Sequence, residues 1–530
     1  MRNPALLLTL LIALALPASA NAQLPVGAQM EGVEHVGNIP VNGSVGANFR
    51  GNYMFVTGTL GAPKTDPGLT TQINYGGLWV YDTSDAANPQ LVTHLPVPHY
   101  ENEDVSIGGN RLLISGDGTL GGSNLIVVDI SNPEAPFIEQ VINMQLLDEG
   151  HTATCIQDCK YAWVAGGGSI AVLDLDKDAQ FETPEGAPDI QVQGAESEVE
   201  AGDIGDPSNR DAEGNPLPYR EFGWSTHDVQ VDEAGYAWVV GGNGTIGFDT
   251  RPGHYGADNL TTPKVVARTG ADALNDGELT CDGVNEDGTA EEGCEDDGDT
   301  VNDFIHHNSW RPDADRFKSR KDGELKKKGV RPGETVLITE EDIWSRATQA
   351  TTKGGCESQG SFQTWQVKQL KTTGENESTV KPLDSYTTEF NEAIEGDDVE
   401  GMDLIPTNGF CSSHYFDEQD GLVATAWYEQ GTRLLDVRDP KNIKEVGYFM
   451  APDSVVWASY WSRTDPSIIY VMDHQRGIDV LRVTSDAQGG KEVKAQAVPN
   501  WFRLGEQSEA RRAVASPEAH PLFGYVCRVR

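Results

Sequence analysis

The chain has few basic residues and lacks the local motifs of well-known enzyme sites. It contains 39 lysines and arginines against 82 aspartates and glutamates, which gives a formal net charge of −43 over 530 residues. Such a surface repels DNA and RNA, so we expect no nucleic-acid partner. No Gly-x-Ser-x-Gly elbow, phosphate loop or dinucleotide fingerprint occurs. The acidity has two open interpretations, a solvated surface or cation binding.

Long apolar runs are also scarce. The only one, Ala5 to Leu16, follows the basic Arg2 and precedes the small residues Ala20-Asn-Ala22. This pattern predicts a secretory signal peptide over residues 1–22 and a mature domain over 23–530. The run is too short for an ordinary membrane span, so we expect no integral membrane segment and a secreted location: periplasmic, extracellular or cell-surface.

Cysteine is rare, with seven residues. In an exported chain they are expected in disulfides, with one left over. Proximity in sequence favours Cys155 with Cys159, Cys281 with Cys294, and Cys356 with Cys411. Cys527 is then the unpaired residue.

What the sequence does have is an internal repeat. Five short segments end on Asp82, Asp129, Asp174, Asp249 and Asp436, and the first three aspartates lie 47 and 45 residues apart. Strand-like units at this period, separated by turn residues, predict an all-β fold, a β-propeller.

Setting the units in register predicts seven blades. A linker rich in acidic residues at 182–221, a second acidic insertion at 270–300 and a basic hairpin at 316–331 interrupt them. Closure of the ring by the tail from Ala487 to Arg530 would remove exposed strand edges. The predicted blades are residues 33–96, 97–145, 146–181, 222–269, 301–386, 401–452 and 453–485.

Two segments carry a family resemblance. Asn124-Leu-Ile-Val-Val-Asp-Ile-Ser-Asn-Pro-Glu-Ala-Pro136 and Gly77-Leu-Trp-Val-Tyr-Asp-Thr-Ser-Asp-Ala-Ala-Asn-Pro89 resemble the LVIVD-repeat family of exported propellers. The resemblance covers most of residues 70–485 and weakens through the insertions. It implies a fold rather than an activity.

The same register predicts a ring of side chains at one mouth of the central channel. The start of the first strand carries Glu103, His151, His227, His307 and His414 in five consecutive blades. The adjacent end of the second strand is polar and offers further ligands or orienting groups. These are Asp117, Glu340, Glu341, Glu429, Asp473 and His474.

Three interpretations of the histidines remain open. They could ligate a metal, with His151, His227, His307 and His414 as ligands and Zn, Mn, Fe or Cu as candidates. They could bond the backbone of the next blade as a structural part of the repeat. They could also act as acid or base without a metal.

An acidic loop suggests a separate calcium site. It begins between Cys281 and Cys294 and continues to Asp299. Its carboxylates alternate with glycines, which suits the flexible oxygen coordination of Ca²⁺, although the spacing fits no regular calcium loop, and a solvated loop is the alternative. The candidate ligands are Asp282, Asn285, Asp287, Glu291, Glu292, Asp296, Asp297 and Asp299.

Together these features predict an exported binding or interaction protein with a metal or small-ligand site at the channel mouth. A metal-dependent enzyme, either an oxidoreductase or a hydrolase, and a metal-free structural cell-surface protein are the alternatives. Either a small molecule or a protein could be the ligand.

Overall fold

A computed structural model describes most of the repeat region. The described residues are 24–41, 43–58, 76–97, 105–116, 124–144, 150–166, 170–176, 226–241, 244–252, 264–269, 304–320, 329–342, 360–370, 378–388, 412–452 and 454–494. The signal peptide, the calcium-loop candidates, Glu103, Asp117 and five of the cysteines lie outside these ranges.

The described chain forms seven β-sheets arranged in a ring, which confirms the predicted seven-bladed β-propeller. The first strands of successive blades contact one another all the way round and back to the first. The only α-helix in the described ranges is α1 (Ser485–Gln488), and no described helix is long and apolar enough to cross a membrane.

The first three blades take their strands in chain order. Blade 1 comprises β3 (Ser44–Arg50), β4 (Tyr53–Gly58), β5 (Gly77–Asp82) and β6 (Gln90–Pro96). Blade 2 comprises β7 (Val105–Gly108), β8 (Arg111–Gly116), β9 (Asn124–Asp129) and β10 (Phe137–Asn143). Blade 3 comprises β11 (Thr152–Ile156), β12 (Tyr161–Ala165) and β13 (Ala171–Asp174).

Blades 4 and 5 hold the long insertions. Blade 4 comprises β14 (Thr226–Val231), β15 (Tyr236–Gly241), β16 (Gly244–Asp249), β17 (Lys264–Arg268) and the parallel β21 (Ser378–Thr379). Blade 5 comprises β18 (Phe304–Trp310), β19 (Thr335–Asp342), β20 (Phe362–Gln366) and β22 (Lys381–Tyr386).

Blades 6 and 7 each receive an outer strand from the N-terminal end of the described chain. Blade 6 comprises β23 (Ser413–Gln419), β24 (Leu422–Trp427), β25 (Gly431–Asp436), β26 (Lys444–Met450) and β1 (Gln29–Glu31). Blade 7 comprises β27 (Val456–Trp461), β28 (Ile468–Asp473), β29 (Gly477–Val483) and β2 (Val33–Ile39).

Ring closure therefore differs from the expectation. Strand β2 was predicted in the first blade, but it pairs antiparallel with β29 of the last blade. Buried Asp479 on β29 fixes this pairing, because it accepts hydrogen bonds from His35 Nε2 at 2.8 Å and Asn38 Nδ2 at 2.9 Å. The pairing joins the two ends of the repeat region and covers a strand edge. Residues 495–530 of the tail that was expected to close the ring lie outside the described ranges.

The aspartates that define the repeat end the third strand of their blades. Each of the five accepts a hydrogen bond from the backbone N–H two residues later, at 2.8 to 3.2 Å. The aspartate thus stabilises the turn that follows the third strand. Its role is structural, which explains why it recurs at the blade period.

Apolar side chains fill the spaces between blades. Trp163 of blade 3 is fully buried and packs edge-on against Phe248 of blade 4, with 5.9 Å between ring centroids.

The predicted pair Cys155 and Cys159 forms a disulfide across the turn between β11 and β12. The intervening Gln157 and Asp158 adopt φ values of 53° and 56°, a left-handed turn that the short covalent loop encloses.

Candidate metal centre

Local irregularities in the first strands place the histidines. The pairing register shifts at His227 in β14, at His307 in β18 and at His414 in β23. A bulge inserts a residue and redirects its side chain. His151 stands directly before β11, where its backbone N–H bonds Ala165 O at 2.9 Å. Four blades thereby deliver an imidazole at the same mouth.

The four imidazoles form a continuous buried row. His151 Nε2 lies 3.0 Å from His227 Nε2, and ring centroids are 4.1 Å apart for His227 and His307 and 3.9 Å for His307 and His414. None of the four is more than 2% exposed. The register taken from the sequence thus corresponds to a real cluster of side chains.

Two of these histidines bond the backbone of the next blade. His227 Nδ1 lies 3.0 Å from His307 O, and His414 Nδ1 lies 2.6 Å from Trp457 O. A carbonyl can only accept, so Nδ1 carries the proton and Nε2 keeps a lone pair in the neutral ring. Backbone bonding and ligand binding are therefore compatible, because they use different nitrogens of the same ring.

A carboxylate completes the cluster. Glu341 on β19 places Oε2 3.6 Å from His307 Nε2, while Tyr428 donates its hydroxyl proton to Glu341 Oε1 at 2.6 Å. One ligand atom each from His227, His307 and Glu341 lies within 4.8 Å of the other two. This buried group could hold one metal ion, since imidazole and carboxylate are both common ligands of divalent transition metals.

Burial controls the protonation of the central imidazole. Desolvation first, and then the neighbouring His414, His227 and His151, hold the pKa of His307 well below its usual 6.5. The ring is neutral at physiological pH, so its nitrogen lone pair is available to a cation. Adjacent His306 is oriented differently, with Nδ1 2.6 Å from Thr245 Oγ1 of blade 4, and burial lowers its pKa to about 3.

The remaining carboxylate candidates lie near the cluster without joining the three-ligand group. Glu340 Oε2 accepts from Ser361 Oγ at 2.9 Å and from Gln363 Nε2 at 3.2 Å, inside blade 5. Glu429 is buried in the 3-10 turn Tyr428–Gln430. The group that the described side chains form thus includes two of the four predicted histidines and one of the predicted carboxylates.

The seventh-blade candidates serve other contacts. Asp473 ends β28 and accepts from the backbone N–H of Val455 at 3.2 Å and of Gln475 at 2.8 Å. His474 lies against the ring of Trp457, with 5.3 Å between centroids. Asp473 therefore stabilises a turn, and His474 contributes to the aromatic wall beside the histidines.

Two aromatic residues at this mouth lie outside the set of ligands and orienting groups predicted from the sequence. In blade 7 the register shift falls at Trp457, which takes the position that histidine has in the preceding blades and lies 5.0 Å from His414. Tyr428, beside the predicted Glu429, makes the bond to Glu341. The polar end of the second strand in blade 6 indicated this region, and Tyr428 is the residue there that fixes the carboxylate.

Comparisons with known proteins add little to this picture. No protein-family model matches the chain, and no curated protein sequence matches it. Among solved structures, the β-propeller domain of Cps50 (Swd1) from Myceliophteria thermophila aligns with a TM-score of 0.46 and 9% identity. The alignment covers 85% of this chain and 100% of that one.

Proposed function

We propose that this protein is an exported β-propeller that binds one divalent transition-metal ion through His227, His307 and Glu341. The observation that supports this best is that the three residues are buried and that one ligand atom of each lies within 4.8 Å of the other two. Zn, Mn, Fe and Cu all accept imidazole and carboxylate. Export is proposed from the signal-peptide pattern of residues 1–22 and predicts a mature N-terminus at Gln23.

The metal is tested by elemental analysis of tag-free protein. We expect about one equivalent of a transition metal in the wild type and loss of it in His307→Ala and Glu341→Gln. His306→Gln is the matched control, because His306 is equally buried on the same strand but contacts blade 4. If wild-type protein remained metal-free after reconstitution with each of the four ions, the metal proposal would be overturned, and the structural role and the metal-free acid or base role would be left.

A metal-dependent enzyme, an oxidoreductase or a hydrolase, is the second candidate. The group supplies three protein ligands, the number typical of catalytic zinc sites that keep a position open for water or substrate. Substitution with Co²⁺ tests this, because an exogenous anion such as azide should change the visible spectrum only if a coordination position is open. An unchanged spectrum favours a closed binding site.

A further inference from the structure

The three proposed metal ligands are buried. His227 and His307 are 0% exposed, and Glu341 is 3% exposed. A substrate that contacts the metal would have to displace packed side chains to reach it, whereas an electron can cross packed side chains by tunnelling between atoms in contact. The shell around a metal also controls its contact with solvent and its redox potential. Burial of the ligands therefore favours electron transfer over chemistry on a bound substrate.

Aromatic side chains lead from two of these ligands to one residue, Trp457. Tyr428, which is hydrogen-bonded to Glu341, has its ring centroid 5.6 Å from that of Trp457. The ring of His414 lies between, with its centroid 3.9 Å from that of His307 and 5.0 Å from that of Trp457. These separations are typical of aromatic rings in contact. Both routes outward from the ligands therefore converge on Trp457.

Trp457 continues the series of contacts towards solvent. The ring of His474 lies 5.3 Å from that of Trp457 and is tilted by 31° against it. His474 is half-buried, whereas Trp457 and Tyr428 are 2% and 1% exposed. The series of rings therefore runs from the buried ligands to a side chain that solvent and a partner can reach.

Trp457 differs from the other tryptophan of its strand, β27. Trp461 donates Nε1 to Leu422 O at 3.2 Å, so its indole holds blades 6 and 7 together. Trp457 Nε1 has no hydrogen-bond partner among the described residues. Most buried polar groups have such a partner, so Trp457 is placed through the contacts of its ring alone. The ring is also the part that carries an electron, because indole is among the most easily oxidised side chains.

We propose that the ion at the metal centre is copper or iron and exchanges single electrons with an external carrier through Trp457 and His474. The inference rests on the metal centre proposed above and names the partner of that site. One electron leaves the metal, whose charge rises by one, and arrives on the carrier, and no bond forms or breaks. Zinc has no such redox chemistry, whereas copper and iron do. The net charge of −43 favours a cationic carrier.

Copper-loaded protein tests the proposal. The Cu(I) form, prepared with ascorbate in the absence of oxygen, is mixed with tris(phenanthroline)cobalt(III), a cationic one-electron oxidant. Stopped-flow absorbance and freeze-quench electron paramagnetic resonance follow the appearance of Cu(II). We expect oxidation to be at least tenfold slower in Trp457→Leu, while the copper bound per chain equals that of the wild type.

Two further variants keep the test valid if Trp457→Leu fails to fold. Trp457→Phe retains a packed ring that is harder to oxidise, and His474→Ala removes the outer end of the route. Both should be oxidised more slowly than the wild type at equal copper content. Trp461→Phe is the matched control on the same strand and should be oxidised at the wild-type rate.

The outcomes separate this inference from the metal centre on which it rests. Wild-type rates in the Trp457 variants or in His474→Ala would overturn the route, as would equal slowing in Trp461→Phe. A wild type that binds zinc or manganese but neither copper nor iron would overturn the redox assignment and leave the metal centre supported. A wild type that binds no metal would overturn both.

Discussion

The two ends of blade 5 bury polar side chains in contrasting ways. At one end His307 lies among neutral imidazoles beside Glu341. At the other end Arg311, 0% exposed, donates Nε to Asp232 Oδ2 at 2.7 Å and Nη1 to Gly333 O at 3.3 Å. Asp232 accepts in addition from Trp238 Nε1 at 2.8 Å.

The comparison distinguishes a structural polar cluster from a site for a ligand. The Arg311 cluster balances the guanidinium charge with the buried carboxylate of Asp232 inside the chain. In the histidine row, His151 Nε2 and His227 Nε2 face each other at 3.0 Å. Two nitrogens at this distance can share only one proton or one cation. Substitutions at the Arg311 end should therefore change stability, and substitutions at the His307 end should change metal binding.

The largest effect is expected from Arg311→Ala. It leaves Asp232 charged and buried without its cation, which costs about 3–5 kcal/mol of unfolding free energy. Urea or thermal unfolding measures the loss, and the metal content of the folded fraction should not change. Arg482→Ala is the exposed control, since its 3.7 Å pair with Asp465 is 39% exposed on both sides and contributes about 1 kcal/mol or less.

His307→Ala should give the opposite result. We expect metal affinity to fall at least 100-fold, because one of three ligands is lost, while the melting temperature falls less than in Arg311→Ala. Metal titration monitored by calorimetry gives the affinity, and differential scanning calorimetry gives the stability. Equal metal affinity in the two variants would remove the distinction between the two ends.

Tyr428→Phe sharpens the comparison within the metal end. The variant removes only the hydroxyl that donates to Glu341 Oε1, so the carboxylate loses its fixed orientation. Loss of such an outer hydrogen bond lowers metal affinity by about 10–100-fold. Competition with a chromophoric chelator measures it. Tyr81→Phe, another buried phenol in a distant blade, should retain wild-type affinity.

The smallest effect concerns the pH dependence of stability. Glu418, at the same end of the propeller as Arg311, has a pKa raised to about 7 from 4.5, so the folded protein binds more protons than the unfolded chain between these values. The contribution of Glu418 to the free energy of unfolding is therefore largest below pH 4.5, and it declines as the pH rises through 7. In Glu418→Gln this decline should shrink by about 1 kcal/mol, less than the full linkage value because the side chain is partly exposed. Thermal unfolding at pH 5 and pH 7.5 measures the difference, and an identical difference in wild type and variant would contradict the raised pKa.

Much of the fold could be predicted because the repeat is local. Each aspartate-ending strand and its turn use residues close in sequence, so the 45-residue period is visible without any tertiary information. The sequence did not show that β1 joins blade 6 and that β2 joins blade 7. Val33–Ile39 pairs with residues more than 400 positions away, and an outer strand carries no mark of the sheet that it joins.

The site could be predicted only in outline. Counting from the repeat placed His151, His227, His307 and His414 at equivalent positions, and the structure brings their rings together. Which of the neighbouring carboxylates approaches them depends on side-chain direction at the ends of the second strands. Glu340 and Glu341 are adjacent in sequence, yet Glu340 bonds Ser361 and Gln363 whereas Glu341 reaches His307.

The sequence by itself therefore determined the repeat, the number of blades and the recurring histidines, because these follow from patterns of period and composition along the chain. Only the tertiary structure decided how the ring closes and that Glu341 and Tyr428 complete the histidine row. The physical reason is that these features arise between blades. There, bulges of a single residue and contacts between distant segments set the positions of side chains.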